Sequence, residues 1–73
     1  MMADLQLNKE IYDLYDIFAA KNAYGDLCQI EIYDEVDIWR LYFHECRYEA
    51  KLTMREFENY LIDLMNLGNG DDY

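Results

Sequence analysis

Tyr42 to Glu49 reads YFHECRYE, and it places the only histidine of the chain, His44, two positions before Cys46, one of two cysteines, with acids close by. A histidine and a cysteine among carboxylates could hold a metal ion or make an activated thiolate. A structural zinc site takes four Cys or His ligands and a catalytic one about three. His44 and Cys46 supply two, with Glu31 a third only if the register of a neighbouring strand brings it across. A nucleophilic Cys46 would need His44 to lower its pKa and a donor group to hold an oxyanion. Neighbours at i, i+2 on one strand stand several ångströms apart, so both side chains read as solvent-facing. No catalytic residue, no metal site and no cofactor is expected. Strand alternation sends His44 and Cys46 to one face and Cys28 to the other, which disfavours a Cys28–Cys46 disulfide.

Carboxylates are plentiful, and abundance makes them poor evidence for acid–base chemistry. Asp34, Glu35 and Asp37 fall in one turn, and Asp13 and Asp16 on one helix face. Catalytic carboxylates need shifted pKa values in a cleft, whereas charge runs are usually solvated. No Gly-rich phosphate loop and no Ser-His-Asp series is present. Sixteen acids against six bases give a net charge of -10, which repels phosphates and anionic membranes and argues against direct nucleic-acid or membrane binding. A partner with a basic surface is favoured, although acidity also serves solubility.

At 73 residues the chain is one small domain, with no room for separate substrate and cofactor lobes. A hydrophobic fraction of 53% and an aromatic fraction of 16% can offset the ordering entropy, so it should fold. The opening MMADLQLNKE lacks a basic n-region and an apolar h-region, and no apolar run is long enough to span a bilayer, so a cytoplasmic location is expected.

Four elements follow from the patterning. Residues 1–7 read as a loose arm, with Met1, Met2 and Leu5 scattered among polar residues. Ile11, Leu14, Tyr15, Phe18 and Ala19 recur at the spacing of one helical face, which predicts a helix over about residues 8–21 with Asn8 as its N-cap. After Gly25, LCQIEIY alternates as a strand with Cys28, Ile30 and Ile32 on the core face. DEVD makes a turn, and IWRLYFHEC alternates again, with Trp39, Leu41 and Phe43 inward, so the pair forms an antiparallel hairpin. In LTMREF, Thr53 and Glu56 fit a capping box, with Leu52 and Phe57 at the staple positions. Phe57, Tyr60, Leu61 and Leu64, with Met65 beside them, form the buried stripe of a last helix that Gly68 ends; residues 68–73 read as a frayed acidic tail. The expected fold is α+β, in the order helix-strand-strand-helix, with both helices on one face of the hairpin.

The other face of that hairpin carries Tyr33, Ile38, Arg40, Tyr42, His44 and Tyr48. Tyrosine and arginine are enriched at protein interfaces, and unpaired strand edges can accept an added peptide strand or a second copy of the chain. This surface is the expected partner site, with a homodimer through the hairpin edge as one form of it.

Tyr12 with IFAA in the first helix, then a hairpin, then REFENYLIDLM resembles the HxsD family of small proteins from His-Xaa-Ser peptide-maturation systems. Phe57, Asn59, Leu61 and Asp63 stand where that family shows a phenylalanine, an asparagine, a leucine and an acid, and the resemblance covers roughly residues 11 to 66 on short, degenerate patterns. It implies a non-catalytic accessory role beside a radical-SAM enzyme and a short precursor peptide. The sequence therefore points to an acidic, non-enzymatic module that binds a protein or peptide. The competing expectation is a nucleic-acid mimic of the phage anti-defence type, in which Asp13, Asp16, Asp34, Glu35 and Asp37 imitate phosphates and block a basic groove.

Overall fold

The computed structural model describes residues 3–68, and within them the chain runs β1 (Ala3–Asn8), α1 (Leu14–Ala23), β2 (Gln29–Asp34), β3 (Ile38–His44) and α2 (Ala50–Gly68). The two expected strands form the hairpin, closed by the Glu35 N–H donating to the Ile38 carbonyl at 3.1 Å. The sheet has a third strand that the reading of the sequence lacked. β1 pairs antiparallel with the other side of β3, giving the order β1-β3-β2, with Ala3 opposite Phe43, Leu5 opposite Leu41 and Leu7 opposite Trp39. The stretch read as a loose arm is therefore largely a strand. Its apolar residues alternate with Asp4, Gln6 and Asn8, and that period puts Leu7 at 1% exposure in the core. Met1 and Met2 lie outside the described residues, as do residues 69–73 of the expected tail.

Both helices cover one face of the sheet. Ile17 and Ala20 of α1 and Phe57 and Leu61 of α2 pack with Leu7, Ile30, Leu41 and Phe43 into one core. Phe57 meets Phe43 edge-on at 5.1 Å and Tyr24 at 5.6 Å, and such pairs add about 0.5–1.5 kcal/mol to the burial of the rings. Burial pushes the Tyr24 hydroxyl pKa upward, and the nearby Glu56 carboxylate adds to the rise.

Each helix departs from its expected form for a local reason. Asn8 does not cap α1. Its side chain accepts from the Glu10 N–H at 2.7 Å and its carbonyl from the Ile11 and Tyr12 N–H groups, making a turn that leaves β1. The N-cap is Asp13, whose carboxylate accepts from the Tyr15 N–H. The buried stripe is Ile17 and Ala20, with Tyr12, Leu14 and Tyr24 packed beside it. Ile11, Tyr15 and Phe18, expected inside, are exposed, Tyr15 to 80%. The helix α2 starts before the predicted capping box, so Thr53 sits within the helix, buried, with its hydroxyl donating to the Glu49 carbonyl at 3.0 Å. Leu52 is half-exposed and makes no staple, and Tyr60 lies at the rim of the core against Tyr24.

Cys28 and Cys46 are joined in a disulfide, against the expectation from strand alternation. The alternation ends at His44. Glu45 adopts a positive φ of 52°, which turns the chain, and the Arg47 N–H then donates to the Leu27 carbonyl at 2.8 Å. The turn brings Cys46 to the side where Cys28 lies buried. Among the described residues no helix is long and apolar enough to cross a membrane.

Candidate functional site

The face of the sheet away from the helices takes its side chains from the alternate positions of three strands. Asp4, Tyr42 and Glu31 form one cross-strand row, Gln6, Arg40 and Tyr33 a second, and Asn8 with Ile38 and His44 with Gln29 extend it at the two ends. Cross-strand neighbours on one face stand close enough for direct contact. Five of the six residues expected at the partner surface are brought together here: Tyr33, Ile38, Arg40, Tyr42 and His44. Tyr48 lies beyond β3, in the connection to α2, and is exposed there.

Arg40 is the electrostatic centre of the face. Its Nε and Nη2 donate to the two carboxylate oxygens of Glu35 at 2.7 and 3.2 Å, and its Nη1 donates to Asp4 at 2.9 Å. The forked pair lowers the Glu35 carboxyl below its ordinary range and raises the Arg40 guanidinium further above its own. A guanidinium already held by two carboxylates has little left to offer an anion. Beside it, Tyr33 and Tyr42 meet edge-to-face at 5.4 Å. Tyr33 donates to Glu31 at 3.0 Å, which raises the tyrosine pKa, and the other Glu31 oxygen lies 3.2 Å from His44 Nε2. Glu31 thus does come across to His44, as one register allowed. Cys46 is occupied by its disulfide, and among the described residues no group of three His, Cys, Asp or Glu could hold a metal ion.

The acids proposed as phosphate mimics gather at one end of the sheet. The Lys9 N–H donates to the Asp37 carbonyl at 3.1 Å, the Lys9 ammonium pairs with Asp34, and Trp39 Nε1 donates to the Tyr12 carbonyl at 3.2 Å. These contacts fasten the hairpin turn to the start of α1. Several of the acids are already engaged: Asp13 caps α1, Asp34 pairs with Lys9, and Glu35 with Arg40.

Reading the sequence missed Asp4 and Gln6, because the strand that carries them was taken for an arm. The signal that could have found them was the alternation of Ala3, Leu5 and Leu7 with Asp4, Gln6 and Asn8. Fold and face define a class: a small α+β domain with two helices on one side of a three-stranded antiparallel sheet and an aromatic, charge-paired surface on the other. No family model, curated protein or solved structure matches the chain.

Proposed function

We propose that the chain is a non-enzymatic accessory module that binds a protein or peptide on the open face of its sheet. The observation that carries this reading is the pairing of Tyr33 and Tyr42 beside the bound Arg40, on a face that neither helix covers. Tyr33 is 49% exposed there. Rings fixed by one another and by hydrogen bonds lose little freedom on binding, which is how aromatic hot spots contribute affinity. Because Arg40 is already neutralised, the face presents rings and carboxylate lone pairs. The matching partner carries apolar side chains with lysine or arginine around them. Among the described residues the free edges of the sheet are those of β1 and β2, and strand addition or pairing with a second copy would use one of them. The resemblance to the HxsD family supports a partner that belongs to a radical-SAM peptide-modifying system.

A second reading, a nucleic-acid mimic that blocks a basic groove, draws on the clustering of acids where the hairpin turn meets α1. The two readings separate in one experiment. The tagged chain is used to capture partners from the cells that make it, as wild type, as Tyr33→Ala with Tyr42→Ala, and as Asp34→Asn with Asp37→Asn, at low and high salt. Loss of the captured protein with the tyrosine variant, and its retention with the acidic variant, supports the accessory reading. Loss with the acidic variant and in high salt supports the mimic. Capture unchanged by both variants refutes both.

A further inference from the structure

The two halves of the Cys28–Cys46 disulfide differ in burial. Cys28 is 4% exposed, and its Sγ lies 3.6 Å from the His44 carbonyl oxygen, an acceptor for the S–H once the bond is broken. Cys46 is half-buried and lines a recess of about 740 Å³, a size typical of small-molecule sites. The walls are Ala3 and Asp4 of β1, Glu45, Tyr48 and Glu49 of the connection after β3, and Ala50, Lys51 and Met54 of α2. Thiol–disulfide exchange depends on which sulfur an incoming thiolate can reach. Of the two, Cys46 is the less buried residue and the one that lines the recess.

We propose that Cys46 is an exchange site for a low-molecular-weight thiol, with Cys28 as the buried resolving partner. The thiolate enters the recess and attacks Cys46 Sγ, forming a mixed disulfide. The electrons of the broken bond leave on Cys28, which takes a proton from solvent and donates its S–H toward the His44 carbonyl. From this state Cys28 can re-form the original bond and expel the thiol. Alternatively, a second thiolate attacks the bound small-molecule sulfur, releasing that small molecule as its own disulfide and Cys46 as a thiol. Two external thiols are then oxidised and one protein disulfide is reduced. The rim selects the thiol by charge: with Asp4 held by Arg40, Glu45 and Glu49 still outweigh Lys51, so cationic and neutral thiols are admitted ahead of anionic ones. This site is at the opposite end of β3 from the hairpin turn and does not depend on the partner-binding reading.

The test uses the oxidised full chain without denaturant, exposed to cysteamine, 2-mercaptoethanol or 3-mercaptopropionate, quenched in acid and mapped by mass spectrometry. The expected adduct is on Cys46, at least about tenfold over Cys28 because Cys28 is the more buried of the two. Corrected for thiolate fraction, cysteamine should react about fivefold faster than mercaptopropionate at low salt, with the gap closing in 1 M salt. The Cys28→Ser variant treated with cystamine should hold the Cys46 adduct stably, because nothing remains to expel it. Adducts found mainly on Cys28 would overturn the proposal. So would exchange whose rate follows urea-induced unfolding, or equal rates for the three thiols at low salt.

Discussion

Leu7→Ala tests whether β1 belongs to the core. Leu7 is 1% exposed, faces the helices and stands opposite Trp39 in the sheet. Buried leucine-to-alanine changes remove about 2–5 kcal/mol, depending on how far the site collapses. β1 is an edge strand and can settle inward, so the lower part of that range, about 2–3 kcal/mol, is expected. A domain of this size has about 3–5 kcal/mol in total, so the variant should keep only about 0–3 kcal/mol of stability. The midpoint of thermal unfolding should fall by roughly 10–20 °C, at about 4–8 °C per kcal/mol. Urea titration read by Trp39 fluorescence and by far-UV circular dichroism measures the loss. Gln6→Ala, one residue away on the outer face, is the control and should change stability by no more than about 0.5 kcal/mol. If Leu7→Ala moves the midpoint no more than Gln6→Ala does, β1 is the loose arm after all, and Asp4 is not held in the site.

The remaining predictions concern charge and the disulfide. Arg40→Ala should raise the Glu35 carboxyl to its ordinary range, followed by NMR titration. Because Arg40 depresses that pKa in the folded chain, its contribution is present above the unfolded-state pKa and is lost as pH falls through the folded one. An unchanged Glu35 titration would show that the forked pair does not form in solution. Tyr24 shifts the other way: burial raises its pKa above 10.0, so the associated stability is intact below about pH 10 and fades as pH rises through the folded value. Alkaline unfolding that begins at higher pH in Tyr24→Phe is the expected result. Cys46→Ser removes a crosslink between positions separated by 18 in sequence and should cost about 3 kcal/mol from loop entropy. A loss under 1 kcal/mol, measured by urea unfolding, would argue against the bond.

The hairpin was legible because two runs of strict alternation, Cys28 to Ile32 and Trp39 to Phe43, flank a short acidic turn. β1 was harder to read, since Ala3, Leu5 and Leu7 give only three inward positions, and alanine is a weak apolar signal. The exposed stripe of α1 was mistaken for its buried one because the segment is apolar on both sides. Ile11, Tyr15 and Phe18 satisfy helical spacing as well as Leu14, Ile17, Ala20 and Tyr24 do, and only the position of the sheet decides between them. The disulfide could not be read from alternation, because alternation holds only while the strand lasts. The positive φ of Glu45 has no counterpart in residue type, since glutamate does not favour that conformation. Much of the open face followed from the hairpin, while its carboxylate clamp on Arg40 depended on a strand and a turn geometry that the pattern did not specify.

The position of β3 in the middle of the sheet sets the order in which the molecule can assemble. β2 finds β3 across a tight turn, whereas β1 must wait for the same strand from the far side of α1, since Ala3 pairs with Phe43. The short loop closes first because its entropic cost is smaller. During synthesis no sheet can form until Ile38–His44 has left the ribosome, so the earliest structure open to the nascent chain is α1. The same hierarchy governs opening: β1 is the strand released with the least disruption, and its departure bares one edge of β3 while the hairpin persists. In native-state hydrogen exchange, the amides that bind β1 to β3 should form a separate, less protected unit than those between β2 and β3.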